Sequence, residues 1–344
     1  MIVFRAEATP VIGSGHVMRC LSIAQALRAR GAACLFVAAG SDAKELVEAR
    51  GFPYHTLHSD PENPEEELPA FCSFLQRQHA DWVIVDSYSV SEAYFKALHE
   101  FSRVAYIDDL AVRAYPVDLI VNYNISADAE GYRRLYPPSV RRLLGAAYAP
   151  LRDEFQELSC KPRRRCEHLF LSTGGADPLH AGKQLLNAIV RDPRMSGLTA
   201  HIVVGAFHPD AESIEAFSRE HPNIVAHRHV TRISELMCAC DLAVSAAGST
   251  LYELCACGVP SVCYTFADNQ LPIARAFSDR QLMRYAGDFR RDPSAAAREI
   301  LDQIAALCKD FSHRRQLSQR MRQIVDAKGA RRIADALLSI QASL

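Results

Sequence analysis

The chain has 344 residues, 49% hydrophobic and 23% charged, with 39 Lys+Arg against 40 Asp+Glu and a net charge of −1. That length exceeds one ordinary core and predicts two domains, and the near-neutral balance excludes the electrostatic footprint of a duplex nucleic-acid binder. No window approaches about 18 consecutive apolar residues, so no membrane-spanning helix and no stable membrane insertion is expected; the opening Met1-Ile-Val-Phe-Arg5 also lacks the basic-then-apolar order of a secretory signal.

In chain order, Ile2–Ala6 reads as a short buried strand, followed by a loop through Gly13 and Gly15. Helical periodicity runs from about Val17 to Ala29, with Leu21, Ala24 and Leu27 on one face and Gly31 as the stop. Further strands are expected at Cys34–Ala39, Trp82–Asp86, Val104–Asp108 and Leu119–Asn122, with helices around 65–79 and 91–101. Such alternation predicts a parallel sheet covered by helices on both faces. The pattern restarts with strands at His168–Ser172, Ala200–Gly205, Ile224–His229, Leu242–Ser245 and Ser261–Phe266. Between Pro150 and Cys166, Pro162 and the basic run Lys161-Pro-Arg-Arg-Arg165 read as a solvated linker, and the tail from about 293 reads as helical only. The expected division is an N-terminal domain over 1–150, a C-terminal domain over 151–325 and a last helix over 326–344.

Eleven cysteines are an odd count at irregular spacings, which does not predict a disulfide framework. Cys238-Ala-Cys240 and Cys255-Ala-Cys257 lack the C-x2-C spacing of zinc sites and read as buried thiols acting as small apolar residues, in a reducing cytoplasm. No metal and no cofactor is expected.

Two Rossmann-like domains in tandem predict a cleft, with ligands beyond the carboxyl ends of the strands. The loop before the first helix ends Gly13-Ser-Gly-His-Val-Met-Arg19. It fails the dinucleotide fingerprint because Met18 stands where glycine is needed, and it lacks the Gly-Lys-Ser/Thr of a P-loop. What remains is an anion-binding loop and His16 at a helix start, where the dipole disfavours imidazolium; this predicts a neutral ring able to accept a proton. A mere helix-start histidine is the bland alternative.

In the second half, Ser245, Gly248, Ser249 and Thr250 sit between a strand and a helix, whose N-terminus suits a diphosphate. Glu253, one turn in, suits either a ribose diol or the helix dipole. Asn269 and Gln270 follow the strand ending near Phe266, as sugar contacts or as part of a helix cap. Tyr88 follows Asp86, and Asp108-Asp109 are adjacent, so they point to opposite faces and do not form a glycosidase pair. Gly174 and Gly175, in the run Ser172–Asp177, permit close backbone approach to a ligand.

The ordered set Gly13-Ser-Gly-His16, Asp86-Ser-Tyr88, Asp108-Asp109, Leu144–Arg152, Ser172-Thr-Gly-Gly175, Ser245–Glu253 and Asp268-Asn-Gln270 resembles the UDP-sugar hydrolases of pseudaminic acid biosynthesis (PseG), over about residues 1–325. The resemblance implies an α/β glycosyltransferase-B fold, two Rossmann-like domains facing a cleft, similar to the glucosaminyltransferase that makes lipid II. It implies metal-independent hydrolysis of a UDP-linked diacetamido-trideoxy-hexose with inversion, His16 as base, and Tyr88 and Asn269 as catalytic partners. The expected substrate and UDP contacts are Gly13, Gly15, Arg19, Gly174, Gly175, Ser245, Gly248, Ser249, Thr250, Glu253 and Gln270. Asp86-Ser-Tyr88 departs from the family's usual Asp-His-Tyr, and Ala6-Glu-Ala-Thr-Pro10 from an Asp with small polar residues. A glycosyltransferase on a UDP-sugar donor and a non-catalytic nucleotide-sugar-binding protein are the rival readings.

Overall fold

The structure, a computed structural model, describes residues 1–9, 13–156, 158, 160–175, 177–205 and 208–341. Pro10, Val11 and Ile12 of the first loop, Ala176 of the glycine-rich run and the last three residues of the expected C-terminal helix lie outside the described residues. The chain forms two compact units, Met1–Arg152 with Lys328–Leu344, and Asp153–Ala327.

The first unit holds a seven-stranded sheet: β1 (Ile2–Ala6), β2 (Cys34–Ala38), β3 (Tyr54–Thr56), β4 (Trp82–Asp86), β5 (Arg103–Ile107), β6 (Leu119–Asn122) and β7 (Arg141–Leu144). Their order is β3-β2-β1-β4-β5-β6-β7 and every pair is parallel. Every residue of β1, β4 and β6 is buried, which is why these strands read as largely apolar runs rather than alternations; the charge inside β1, Arg5, is paired with Glu7 and Glu67. One face packs Val83, Val85, Tyr106 and Ile120 against Phe71, Tyr94 and Phe95. The helix Gly15–Arg28 buries Val17, Leu21, Ala24 and Leu27. The tail helix Gly329–Gln341 packs against it and belongs to this first unit. It is tied down by Arg30 Nε to Asp335 at 2.5 Å and by Arg103 Nη1 donating to the Ile340 carbonyl at 2.8 Å.

The second unit holds a six-stranded parallel sheet: β8 (His168–Ser172), β9 (Thr199–Val204), β10 (Ile224–Arg228), β11 (Leu242–Ala246), β12 (Ser261–Thr265) and β13 (Arg284–Asp288), in the order β10-β9-β8-β11-β12-β13. No described helix is long and apolar enough to cross a membrane.

Strands β3, β7 and β13 are additions to the sequence reading. All three lie at or next to a sheet edge, where one neighbour suffices and charged residues such as Arg141, Arg142 and Arg284 are tolerated. A second correction concerns cysteine. Cys240, Cys255 and Cys257 are buried free thiols, but Cys160 and Cys238 are joined as a disulfide across 78 residues, a proximity that local spacing cannot reveal.

Candidate active site

Strand order reverses between β1 and β4 in the first unit and between β8 and β11 in the second. Such a switch point opens a crevice at the strands' carboxyl ends. The loops singled out from the sequence leave these strands: Gly13–His16 follows β1, Tyr88 follows β4, Gly174 and Gly175 follow β8, and Gly248–Glu253 follows β11.

In the first unit, Gly13 turns the chain with φ of 71°, a left-handed conformation natural to glycine, and its N–H donates to the Thr9 carbonyl at 2.8 Å. The helix then starts at Gly15, with Ser14 as N-cap; among the described residues no side chain caps it. His16 is buried at 8% exposure. Its Nδ1 lies 2.7 Å from Oδ1 of Asp86, at the end of β4. Because a carboxylate only accepts, this contact assigns the N–H to Nδ1 and leaves Nε2 as the ring's acceptor. The His16 and Tyr88 rings stand nearly perpendicular, centroids 4.8 Å apart.

Asp86 is fully buried and also receives Arg19 Nε and Nη2, both at 2.5 Å, and the Cys20 thiol at 3.7 Å. Burial alone would raise the Asp86 carboxyl; the Arg19 guanidinium, helped by His16, outweighs it and holds the group well below the usual carboxylate range. The other side of Arg19 donates through Nη1 to Asp109 at 2.7 Å and to the Tyr123 hydroxyl at 2.8 Å. Tyr88 donates to the same Asp109 oxygen at 2.8 Å. Asp108 points the other way, receiving Tyr132 at 2.7 Å and the loop N–H groups of Leu110 and Ala111. The fold therefore brings His16, Arg19 and Tyr88 together. Sequence spacing missed that Arg19, expected to contact substrate, is 7% exposed and spends its guanidinium on two carboxylates and a phenol.

In the second unit, Ser245 is buried and its hydroxyl donates to the Ala246 carbonyl at 3.0 Å. Gly248 N–H bonds the Ala246 carbonyl at 2.8 Å, and the helix Thr250–Cys257 begins behind exposed Ser249. Among the described residues no side chain caps that helix either. Glu253 sits on its first turn, half-buried. Asn269 is exposed at the start of the helix Gln270–Asp279, and Gln270 folds back to accept the Phe266 N–H at 2.8 Å.

Among the described residues, two groups gather metal-type ligands: Asp177, His208 and Asp210, and Cys160, Cys238 and Cys257. The first is a structural knot. Both Asp177 oxygens hold helix N–H groups, at Ala181 and Gly182, and His208 faces Asp177 through Nε2 and the Asp210 N–H through Nδ1.

No family model matches the sequence. The chain is 24% identical over 267 residues to the UDP-2,4-diacetamido-2,4,6-trideoxy-β-L-altropyranose hydrolase of Campylobacter jejuni, covering 76% of this chain and 91% of that protein. Among solved structures it is similar to MurG of Acinetobacter baumannii, with a TM-score of 0.66 at 15% identity over 98% of this chain and 99% of the other. It is also similar to the spinosyn rhamnosyltransferase SpnG complexed with thymidine diphosphate, with a TM-score of 0.64 at 13% identity and 99% of both chains. These likenesses agree with the two parallel α/β units: the chain has the glycosyltransferase-B fold.

Proposed function

We propose that this protein hydrolyses a UDP-linked diacetamido-trideoxy-hexose to UDP and free sugar, by attack of water at C1 with inversion. The observation that carries this reading is the His16–Asp86 pair at the β1/β4 switch point, in a chain that spans 91% of a hydrolase of that description. With Nδ1 facing an ionised carboxylate, Nε2 is the atom to take a proton from water, and Asp86 balances the charge that develops on the ring.

Arg19 and Asp109 are assigned a holding role. Arg19 keeps Asp86 ionised and fixed, and Asp109 keeps Tyr88 against His16. The phenol and Asn269 then orient the sugar or the attacking water. UDP is assigned to the second unit, with its diphosphate at the uncapped start of the Thr250–Cys257 helix, near Gly174, Gly175, Gly248, Ser249 and Thr250, and its ribose on Glu253. UDP is a good leaving group, and helix-terminus dipoles stabilise the charge it gains, so no strong general acid and no metal is required.

The rival is transfer of the sugar to an acceptor, which the glycosyltransferase neighbours of the same fold support. The test is UDP release from the UDP-linked diacetamido-trideoxy-altrose, followed by phosphorus NMR in EDTA with no acceptor added. Release of UDP and free sugar is expected. Tight UDP binding without release would leave a transferase awaiting its acceptor, a hydrolase for another sugar, or a non-catalytic binder.

A further inference from the structure

The sulfurs of Cys160, Cys238 and Cys257 all lie within 4.8 Å of one another, although they come from three separate segments. Cys160 lies midway along the connector between Asp153, where the second unit begins, and β8; Cys238 lies on the helix Ile233–Ala239, and Cys257 ends the helix Thr250–Cys257. Cys160 and Cys238 are bonded, with their Cα atoms 5.0 Å apart. The Cys257 thiol instead points at the Met237 sulfur, 3.9 Å away.

The backbone around these sulfurs is fixed by bonds that do not involve them. Glu154, at the start of the connector, accepts from the Ser234 N–H at 3.2 Å and its hydroxyl at 3.0 Å. Arg322 donates to the carbonyls of both Cys160 and Cys257. The three cysteines are thus held together whether or not a sulfur–sulfur bond exists, which is the condition for a bond that opens and closes without refolding. Access differs among them: Cys238 is half-buried, Cys160 is 7% exposed and Cys257 is fully buried.

We propose that Cys160 and Cys238 form a reversible thiol–disulfide site, opened and closed by exchange with a small-molecule disulfide, with Cys257 as its third, reserve thiol. The accessible Cys238 thiolate attacks the small disulfide, forming a mixed disulfide and expelling one thiol. The Cys160 thiolate then attacks the Cys238 sulfur and expels the second. Two electrons pass from the cysteines to the small disulfide, and their two protons leave on the two released thiols. Burial pushes the Cys257 thiol up and keeps it protonated, so it does not compete while Cys238 is present. Closing the bond staples the middle of the connector to the helix whose first turn already holds its start through Glu154 and Ser234.

The experiment uses the full chain in glutathione buffers of stepped oxidised-to-reduced ratio, quenched by alkylation and read by peptide mapping. Two of the eleven thiols should disappear together, at Cys160 and Cys238, and return when the ratio is reversed. Closure of a loop with a sequence separation of 78 should raise the Tm by about 5 °C or more. Cys160→Ser should leave the Tm indifferent to the ratio. In Cys238→Ser the bond should move to Cys160 and Cys257, which a chance pairing would not do. Scattered oxidation, a bond that glutathione never opens in the folded wild type, or a fully reduced Cys238→Ser would overturn the proposal. So would one tightly held zinc per reduced chain, released by a thiol reagent.

Discussion

Oδ1 of Asp86 receives both His16 Nδ1, at 2.7 Å, and Arg19 Nη2, at 2.5 Å, so one buried carboxylate orients the candidate base and neutralises a buried guanidinium. Asp86→Asn separates these duties from substrate binding. An amide presents one acceptor and one donor, so it no longer dictates which ring nitrogen of His16 bears the proton. Turnover should fall about 10²- to 10⁴-fold, as it does when an orienting carboxylate or the base itself is lost. The variant should also lose about 3–5 kcal/mol of stability, because Arg19 stays buried with half its countercharge gone. Steady-state UDP release, read beside thermal unfolding at a temperature where the variant is folded, separates the two effects. Normal turnover in folded Asp86→Asn or His16→Ala would remove the pair from the chemistry.

Tyr88→Phe probes the other end of the same network. The phenol is 41% exposed, and its bond to Asp109 contributes little to folding at such a site. The expected Tm change is within about 2 °C. Turnover should nonetheless drop about tenfold or more, from the lost positioning of sugar or water. A variant that loses stability but not turnover would make Tyr88 structural.

The contrast between these two residues marks what the sequence could disclose. Asp86 ends, and His16 and Tyr88 follow, strands whose largely apolar runs are unmistakable, so their place at the strands' carboxyl ends was readable from period and order; the reversal of strand order was not. The partner choice was not. Arg19 lies on the first helix, just behind a loop that looks anion-binding, and only the folded chain shows Asp86 and Asp109 claiming its guanidinium from 67 and 90 residues away. The same holds for Cys160, whose partner lies 78 residues on. The edge strands β3, β7 and β13 escaped because an edge does not demand the apolar residues that announce a strand.

Glu253→Ala should weaken UDP binding about 10- to 100-fold, the worth of one or two hydrogen bonds to a charged acceptor, with turnover at saturating substrate nearly unchanged. Calorimetric titration with UDP reads the first and initial rates the second. Unaltered UDP affinity in the folded variant would sink the ribose assignment.

The second unit carries a line of three imidazoles on neighbouring strands, with His201 3.0 Å from His168 on one side and 3.0 Å from His227 on the other. Burial, then the neighbouring His227 and His168, lower His201 to about 4. An unfolded histidine titrates near about 6.5. Between those values the unfolded chain binds a proton that the folded chain refuses, so stability falls as the pH drops from about 6.5 to about 4. His201 is only part-buried, so the loss should be about 1 kcal/mol rather than the full equivalent of the shift. His201→Thr should lose correspondingly less between pH 7 and pH 5 in urea unfolding. Equal losses in both proteins would show that the pH response lies elsewhere.

Gly329 opens the tail helix that packs on the helix bearing His16, and its position leaves no room for a side chain: an added Cβ would run into the backbone of Tyr148 and Ala149. Backbone cannot swing aside as the end of a flexible side chain can. Gly329→Ala should therefore cost about 1–3 kcal/mol and expose the 329–341 helix to protease. Gly197→Ala is the matched control, since a Cβ there meets nothing within 4 Å; it should be neutral or stabilise by up to about 1 kcal/mol through the unfolded chain. Turnover adds the functional reading. If docking of the tail keeps the His16 helix in register, kcat of Gly329→Ala should fall at temperatures where the protein is still folded, while UDP affinity holds. Loss of stability with full kcat would make the tail a clamp on the fold and not on the site.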